Sequence, residues 1–135
     1  MKKILYFTLV MFLVLITSSC YDRDIIDAKD GVSLPPVTNL KSTLSNSDQL
    51  TLDWNLPSAI PAEIQRPMSV YIQVYRANVR EYQITLPDEP ATWTYTLREP
   101  DMKYRIIVKM YGRLKEKGYG KSDEIYSLGQ TVYVN

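Results

Sequence analysis

From Pro35 onward, apolar side chains return at every second residue, and the runs are cut short by proline, glycine and asparagine. That period fits pleated strands with one wet face, and no long helical period competes with it. In 49–54, Leu50, Leu52 and Trp54 share a face, with Thr51 and Asp53 opposite. Over 69–76, Val70, Ile72 and Val74 alternate with Tyr71, Gln73 and Tyr75. Over 92–97, Trp93, Tyr95 and Leu97 point inward, and over 103–111 Tyr104, Ile106, Val108 and Met110 line up together. Further strands are predicted at 37–43, 80–86 and 125–134, the last with Gly129 as a bulge. Pro57, Pro61 and Pro67 forbid a regular strand across 55–68, which reads as a long, stiffened loop. Seven short strands in about 100 residues predict an all-β, antiparallel, two-sheet sandwich.

The front of the chain follows other rules. Lys2 and Lys3 precede an uncharged run of thirteen residues, 4–16, and then Thr17-Ser18-Ser19-Cys20. A helix needs roughly 20 residues to cross the hydrocarbon core, so this run is read as a signal-peptide core and not a permanent span. Small residues ahead of Cys20 resemble the bacterial lipobox, with Thr17 where Leu is usual. That resemblance implies cleavage before Cys20 and lipid on its sulfur, anchoring the protein to a membrane. An ordinary signal peptide would instead leave a lone reactive thiol on an exported protein.

Domain boundaries follow: 1–19 a lipoprotein signal peptide, 20–34 the lipidated cysteine and a flexible tether, and 35–135 the sandwich. The tether spans about 20 Å as a coil. Its residues Asp22, Asp24, Asp27 and Asp30 lack the spacing of an EF-hand loop. Acidic residues in this place resemble the surface-export signals of Bacteroides-type lipoproteins. The expected location is the cell envelope, at the outer membrane, with the periplasmic and the surface-facing leaflet both left open by the sequence.

Composition removes whole classes of chemistry. The chain has no histidine and one cysteine, so Ser-His-Asp and Cys-His catalysis, disulfides and zinc thiolate sites are not expected once Cys20 is lipidated. The 16 Lys+Arg fall to 14 with the loss of Lys2 and Lys3, against 15 Asp+Glu, a balance unlike that of a general nucleic-acid binder. The acidic pairs Asp88-Glu89, Glu99/Asp101 and Asp123-Glu124 sit beside turn signals, where carboxylates are usually solvated. No catalytic residues, cofactor or metal are expected.

Four motifs, in order, resemble a fibronectin type III domain: Pro36-Val37-Thr38-Asn39-Leu40, Trp54-Asn55-Leu56-Pro57, Pro100 with Tyr104, and Gly120-Lys121-Ser122. The resemblance covers nearly all of 35–134. It implies a seven-stranded immunoglobulin-like sandwich, a buried Trp54, a tyrosine corner at Tyr104, and a recognition or adaptor role.

Two surfaces are candidates for a protein or glycan partner. One is the basic loop carrying Arg113, Lys115 and Lys117, expected at the same end as the proline-rich loop and the incoming tether, as a membrane-proximal surface that meets acidic headgroups or an acidic partner. The other is an outward face of Tyr71, Tyr75 and Tyr111 beside Arg105 and Lys109, suited to stacking on sugars or packing on a protein. The expected role is a non-enzymatic recognition or assembly subunit; the alternatives are a glycan-binding accessory lipoprotein of a polysaccharide-uptake system and a structural spacer. Cells fed radiolabelled palmitate should label the wild-type protein and not Cys20→Ala; an unlabelled wild type, or a labelled variant, would contradict the anchor.

Overall fold

The computed structural model describes residues 31–118, 120 and 122–134. The expected signal peptide, Cys20, most of the expected tether, Tyr119 and Lys121 lie outside the described residues. Eight strands form: β1 (Thr38–Ser45), β2 (Gln49–Asn55), β3 (Ser69–Arg76), β4 (Val79–Leu86), β5 (Thr92–Thr96), β6 (Tyr104–Arg113), β7 (Glu124–Tyr126) and β8 (Gln130–Val134). One sheet has the order β1-β2-β5; the other runs β4-β3-β6, with both β7 and β8 paired to β6. Every pairing is antiparallel.

Strand 125–134, expected as one piece with a bulge, is two. Ser127, Leu128 and Gly129 leave the ladder between β7 and β8. The buried Ser127 makes this tolerable: its Oγ accepts the Met110 N–H at 2.9 Å and donates to the Leu128 carbonyl at 2.9 Å. The Ser127 N–H donates in turn to the Met110 carbonyl at 3.0 Å. A side chain thus replaces the missing strand acceptor, leaving no buried backbone group of Met110 unpaired. Gly129 then lies so close to β6 that a Cβ there would meet Ile107 Cγ2 at 2.6 Å.

The two sheets close over the alternating residues. Leu50, Leu52 and Trp54 of β2 meet Val70, Ile72 and Val74 of β3 and Tyr104, Ile106, Val108 and Met110 of β6, all nearly or fully buried. Val32 and Leu34, expected at the end of the tether, already pack into the domain, and Leu34 belongs to the buried core. The compact unit therefore starts at Val32. A two-residue turn at Ala77 and Asn78, both with positive φ (47° and 68°), joins β3 to β4. This is the hairpin geometry whose twist matches the flanking strands, although Ala77 carries a cost of about 1 kcal/mol there.

Trp54 and Tyr104 bury their rings and still satisfy their polar tips. Trp54 Nε1 donates to the Pro90 carbonyl at 2.8 Å, tying β2 to the segment ahead of β5. The Tyr104 hydroxyl accepts the Glu99 N–H at 3.1 Å, which fixes the crossover from β5 into β6. Tyr104→Phe keeps the ring and orphans that N–H. It should lower unfolding free energy by about 1–2 kcal/mol with an unchanged urea m-value, against about 3–5 kcal/mol for Trp54→Ala. Urea titration of residues 21–135 checks both; a Tyr104→Phe protein as stable as wild type would remove the corner from the account.

Candidate functional site

The strand register decides which side chains meet on the outside. On β6, burial of Tyr104, Ile106, Val108 and Met110 turns Arg105, Ile107, Lys109 and Tyr111 outward. On β3 the same rule turns out Tyr71, Gln73 and Tyr75. Pairing then sets Tyr71 opposite Lys109 and Tyr75 opposite Arg105, with Tyr111 opposite Ser69. The tyrosines and cations named from the alternation therefore share the outer face of the larger sheet.

Two further rings join them. β7 places Tyr126 opposite Tyr111, and β8 places Tyr133 opposite Arg105. Tyr126 packs edge-on against Tyr71 at 5.7 Å between centroids and lies 4.9 Å from Tyr111. Partial burial, then the Glu124 charge, raises the Tyr126 hydroxyl above its ordinary pKa. Tyr71 and Tyr111 are half-buried by these contacts, whereas Tyr126 is 48% and Tyr133 72% exposed. Leu128, in the break between β7 and β8, is 80% exposed. Alternation within 125–134 alone could have flagged Tyr133, but its neighbour on β6 needed the register.

The face divides into two parts. Near β7 the polar atoms are mutually satisfied: Tyr71 donates to Gln83 Oε1 at 3.0 Å, Tyr111 to Glu124 Oε1 at 3.0 Å, and Arg113 reaches the Tyr111 hydroxyl at 3.4 Å. Near the β3–β4 turn, the Arg105 guanidinium lies over the Tyr75 ring, 4.6 Å from its centroid. Tyr75, Arg105 and Tyr133 border a hollow of about 400 Å³ that Asp101, Met102 and Lys103 also line.

The basic loop is less free than its charge implies. Arg113 lies 3.9 Å from Glu124. The Gln65 N–H donates to the Arg113 carbonyl and the Lys115 N–H to the Glu63 carbonyl, each at 2.8 Å, so β6 runs on into the proline-rich loop. A second hollow of about 420 Å³ there is lined by Val32, Ala62, Glu63, Leu114, Lys115 and Glu116. Two carboxylates thus sit with Lys115, while Lys117 is exposed. The proline-rich loop, the basic loop and the start of the domain do lie at one end, as the resemblance implied.

Three carboxylates take arginine partners: Glu99, which is exposed as expected (58%), Glu89, expected to be solvated but largely covered (14%), and Glu81, which the sequence did not single out. Glu99 pairs with Arg76. Glu81, at a register shift in β4, is buried between Arg76 at 3.4 Å and Arg98 at 3.3 Å. Glu89 braces the proline-rich loop: its Oε1 accepts Arg66 Nε at 3.0 Å and the Met68 N–H at 2.9 Å. Tyr82, Trp93 and Tyr95 stack across the open edge between β4 and β5, with centroids 5.3–6.2 Å apart. Among the described residues, no three of Asp, Glu, His or Cys are grouped to hold a metal ion.

The strand order and the tyrosine corner define a fibronectin type III-like sandwich with a ring-rich outer sheet face. The chain belongs to the family described as a domain of unknown function (DUF4945), whose model matches residues 20–134. No curated protein matches it. Among solved structures it is similar to a computationally redesigned β-sandwich protein, at 22% identity over 74% of this chain and 87% of that one, with a TM-score of 0.51. That likeness shows the fold alone. Also similar are the FN3 domain of human collagen XX (15% identity, 75% and 92% covered, TM-score 0.48) and the third fibronectin III domain of human KIAA0343 protein (18%, 76% and 85%, 0.48).

The Arg66 hydrogen bond, aided by the Met68 N–H against the opposing effect of burial, holds the Glu89 carboxyl below its ordinary value of 4.5. A depressed folded-state pKa contributes stability that is complete above pH 4.5 and is lost as pH falls through the folded value. Glu89→Gln should cost about 1 kcal/mol at neutral pH and flatten the loss of stability on acidification. Urea midpoints between about pH 3 and pH 7 check this; parallel acid slopes in the two proteins would contradict it.

Proposed function

We propose that this protein is a lipid-anchored, non-enzymatic recognition subunit of a bacterial cell envelope, acting through the outer face of its larger sheet. One observation carries the reading: the register gathers five tyrosines from four strands, together with Arg105 and Lys109, on a face no other element covers among the described residues. Rings with polar tips favour contact surfaces that must be stable both in water and when covered. The basic loop is the weaker candidate, because Arg113 faces Glu124 and Lys115 shares its hollow with Glu63 and Glu116.

The anchor is part of the same proposal. Its support is the sequence ahead of Cys20 and the family match, which opens at Cys20, where the processed chain would begin. The tether would leave the domain beside the proline-rich and basic loops, because Val32 lines the hollow there. The resemblance of the acidic residues after Cys20 to surface-export signals supports placing the domain at the outer membrane, on its surface side.

A second reading, a glycan-binding accessory lipoprotein, is favoured by the pairing of exposed Tyr133 with Arg105. Soluble protein (residues 21–135) should serve as bait on detergent-solubilised envelope and on a glycan array. The proposal expects a ligand whose capture is lost with Tyr126→Ser/Tyr133→Ser and kept with Lys115→Glu/Lys117→Glu. Capture that follows the lysines would move the site to the loop end. Absence of any ligand would leave a spacer and overturn the proposal.

A further inference from the structure

We infer that the hollow bordered by Tyr75, Arg105 and Tyr133 is a binding site for a carboxylate-bearing sugar, such as the uronic acid end of an acidic glycan. The inference rests on the outer-face reading and names the ligand class for one end of that face.

The argument begins with how Arg105 is held. Tyr75, Arg105 and Tyr133 are cross-strand neighbours on β3, β6 and β8, so a cation stands between two rings. Its guanidinium lies over Tyr75 at 4.6 Å. Stacking takes hydration from one face of the guanidinium and leaves its two terminal N–H groups, Nη1 and Nη2, to match the two oxygens of a carboxylate. Arg105 Nε is buried and has no acceptor among the described residues, and no carboxylate there lies within the 4 Å of an ion pair. Arg76 of β3 and Arg113 of β6 do have carboxylates at hand, and Arg80 of β4, which also has no ion pair among the described residues, is exposed and is not stacked on a ring. Arg105 is thus held in place by a ring and still lacks an anion.

The rest of the hollow fits a sugar better than a bare anion. Tyr133 is 72% exposed, far more than a ring used only to stiffen a sheet. A pyranose has an apolar C–H face that packs on such a ring while its hydroxyls stay in water. Asp101 and Lys103, which also line the hollow, offer an acceptor and a set of donors for hydroxyls, and Met102 offers a soft apolar contact. Asp101 also disfavours highly charged anions such as phosphate, so one carboxylate on an otherwise neutral ring is the better match. The volume, about 400 Å³, lies at the lower end of the ~300–1,000 Å³ of small-ligand sites. The hollow near Lys115 has no aromatic ring among its lining residues.

Calorimetric titration of residues 21–135 tests this with oligosaccharides of glucuronate, galacturonate and mannuronate, the same sugars with the carboxyl reduced to an alcohol, and oligoglutamate. At least one uronate should bind, and its reduced form should bind at least about tenfold more weakly. Arg105→Lys keeps the charge but not the two-pronged edge and should lose about tenfold; Tyr133→Ala should lose several-fold. Both variants should show wild-type thermal unfolding. Equal affinity for acid and reduced sugars would overturn the carboxylate claim while leaving a glycan-binding face. Oligoglutamate binding as tight as the best uronate would overturn the sugar claim, and no uronate binding would overturn the site, even if the envelope bait still captures a partner through the same face.

Discussion

Burial of Tyr104, Ile106, Val108 and Met110 on one side of β6 leaves Arg105, Ile107, Lys109 and Tyr111 only the other side to occupy. Because side chains in a strand alternate strictly, the interior and the outer face are one decision. β6 is also the strand that pairs with β3, β7 and β8, so its register carries the decision to three neighbours. Tyr104 anchors one end of it through the Glu99 N–H, and Ser127 protects the other by occupying the Met110 N–H. The tyrosines outside are positioned by the aliphatic residues inside.

Much of this was legible from alternation and proline placement. The bounds of β3 agree with the predicted 69–76, and those of β2, β4, β5 and β6 fall within one or two residues. Trp54 and Tyr104 are buried as the fibronectin resemblance implied. Such local patterns survive because each inward residue contributes its own burial, and the fold needs all of them to agree. Tyr71, Tyr75, Tyr111, Arg105 and Lys109 share a face for the same reason, since the parity of β3 and β6 can be read along the chain.

What escaped reading depends on partners distant in sequence. The break at 127–129 turns on a serine hydroxyl reaching Met110, seventeen positions earlier. Glu89 looks like an ordinary turn carboxylate until Arg66 and Met68 arrive beside it. Glu81 is enclosed because a register shift in β4 turns it toward Arg76 and Arg98. Tyr126 and Tyr133 carry a rhythm of their own, yet only pairing across β6 brings them to the other rings. The basic loop shows the converse: a run of cations in sequence is partly answered by carboxylates folded against it.

The account stands or falls on register, since a slip by one residue would send Tyr75, Arg105 and Tyr133 into the interior and the aliphatic set into water. Interstrand nuclear Overhauser contacts in residues 21–135 report it directly. The expected spectrum links Tyr71 with Lys109, Tyr75 with Arg105, and Arg105 with Tyr133 across their backbones. Contacts displaced by one position, or helical contacts between residues three and four apart through 103–111, would contradict the arrangement from which the binding face follows.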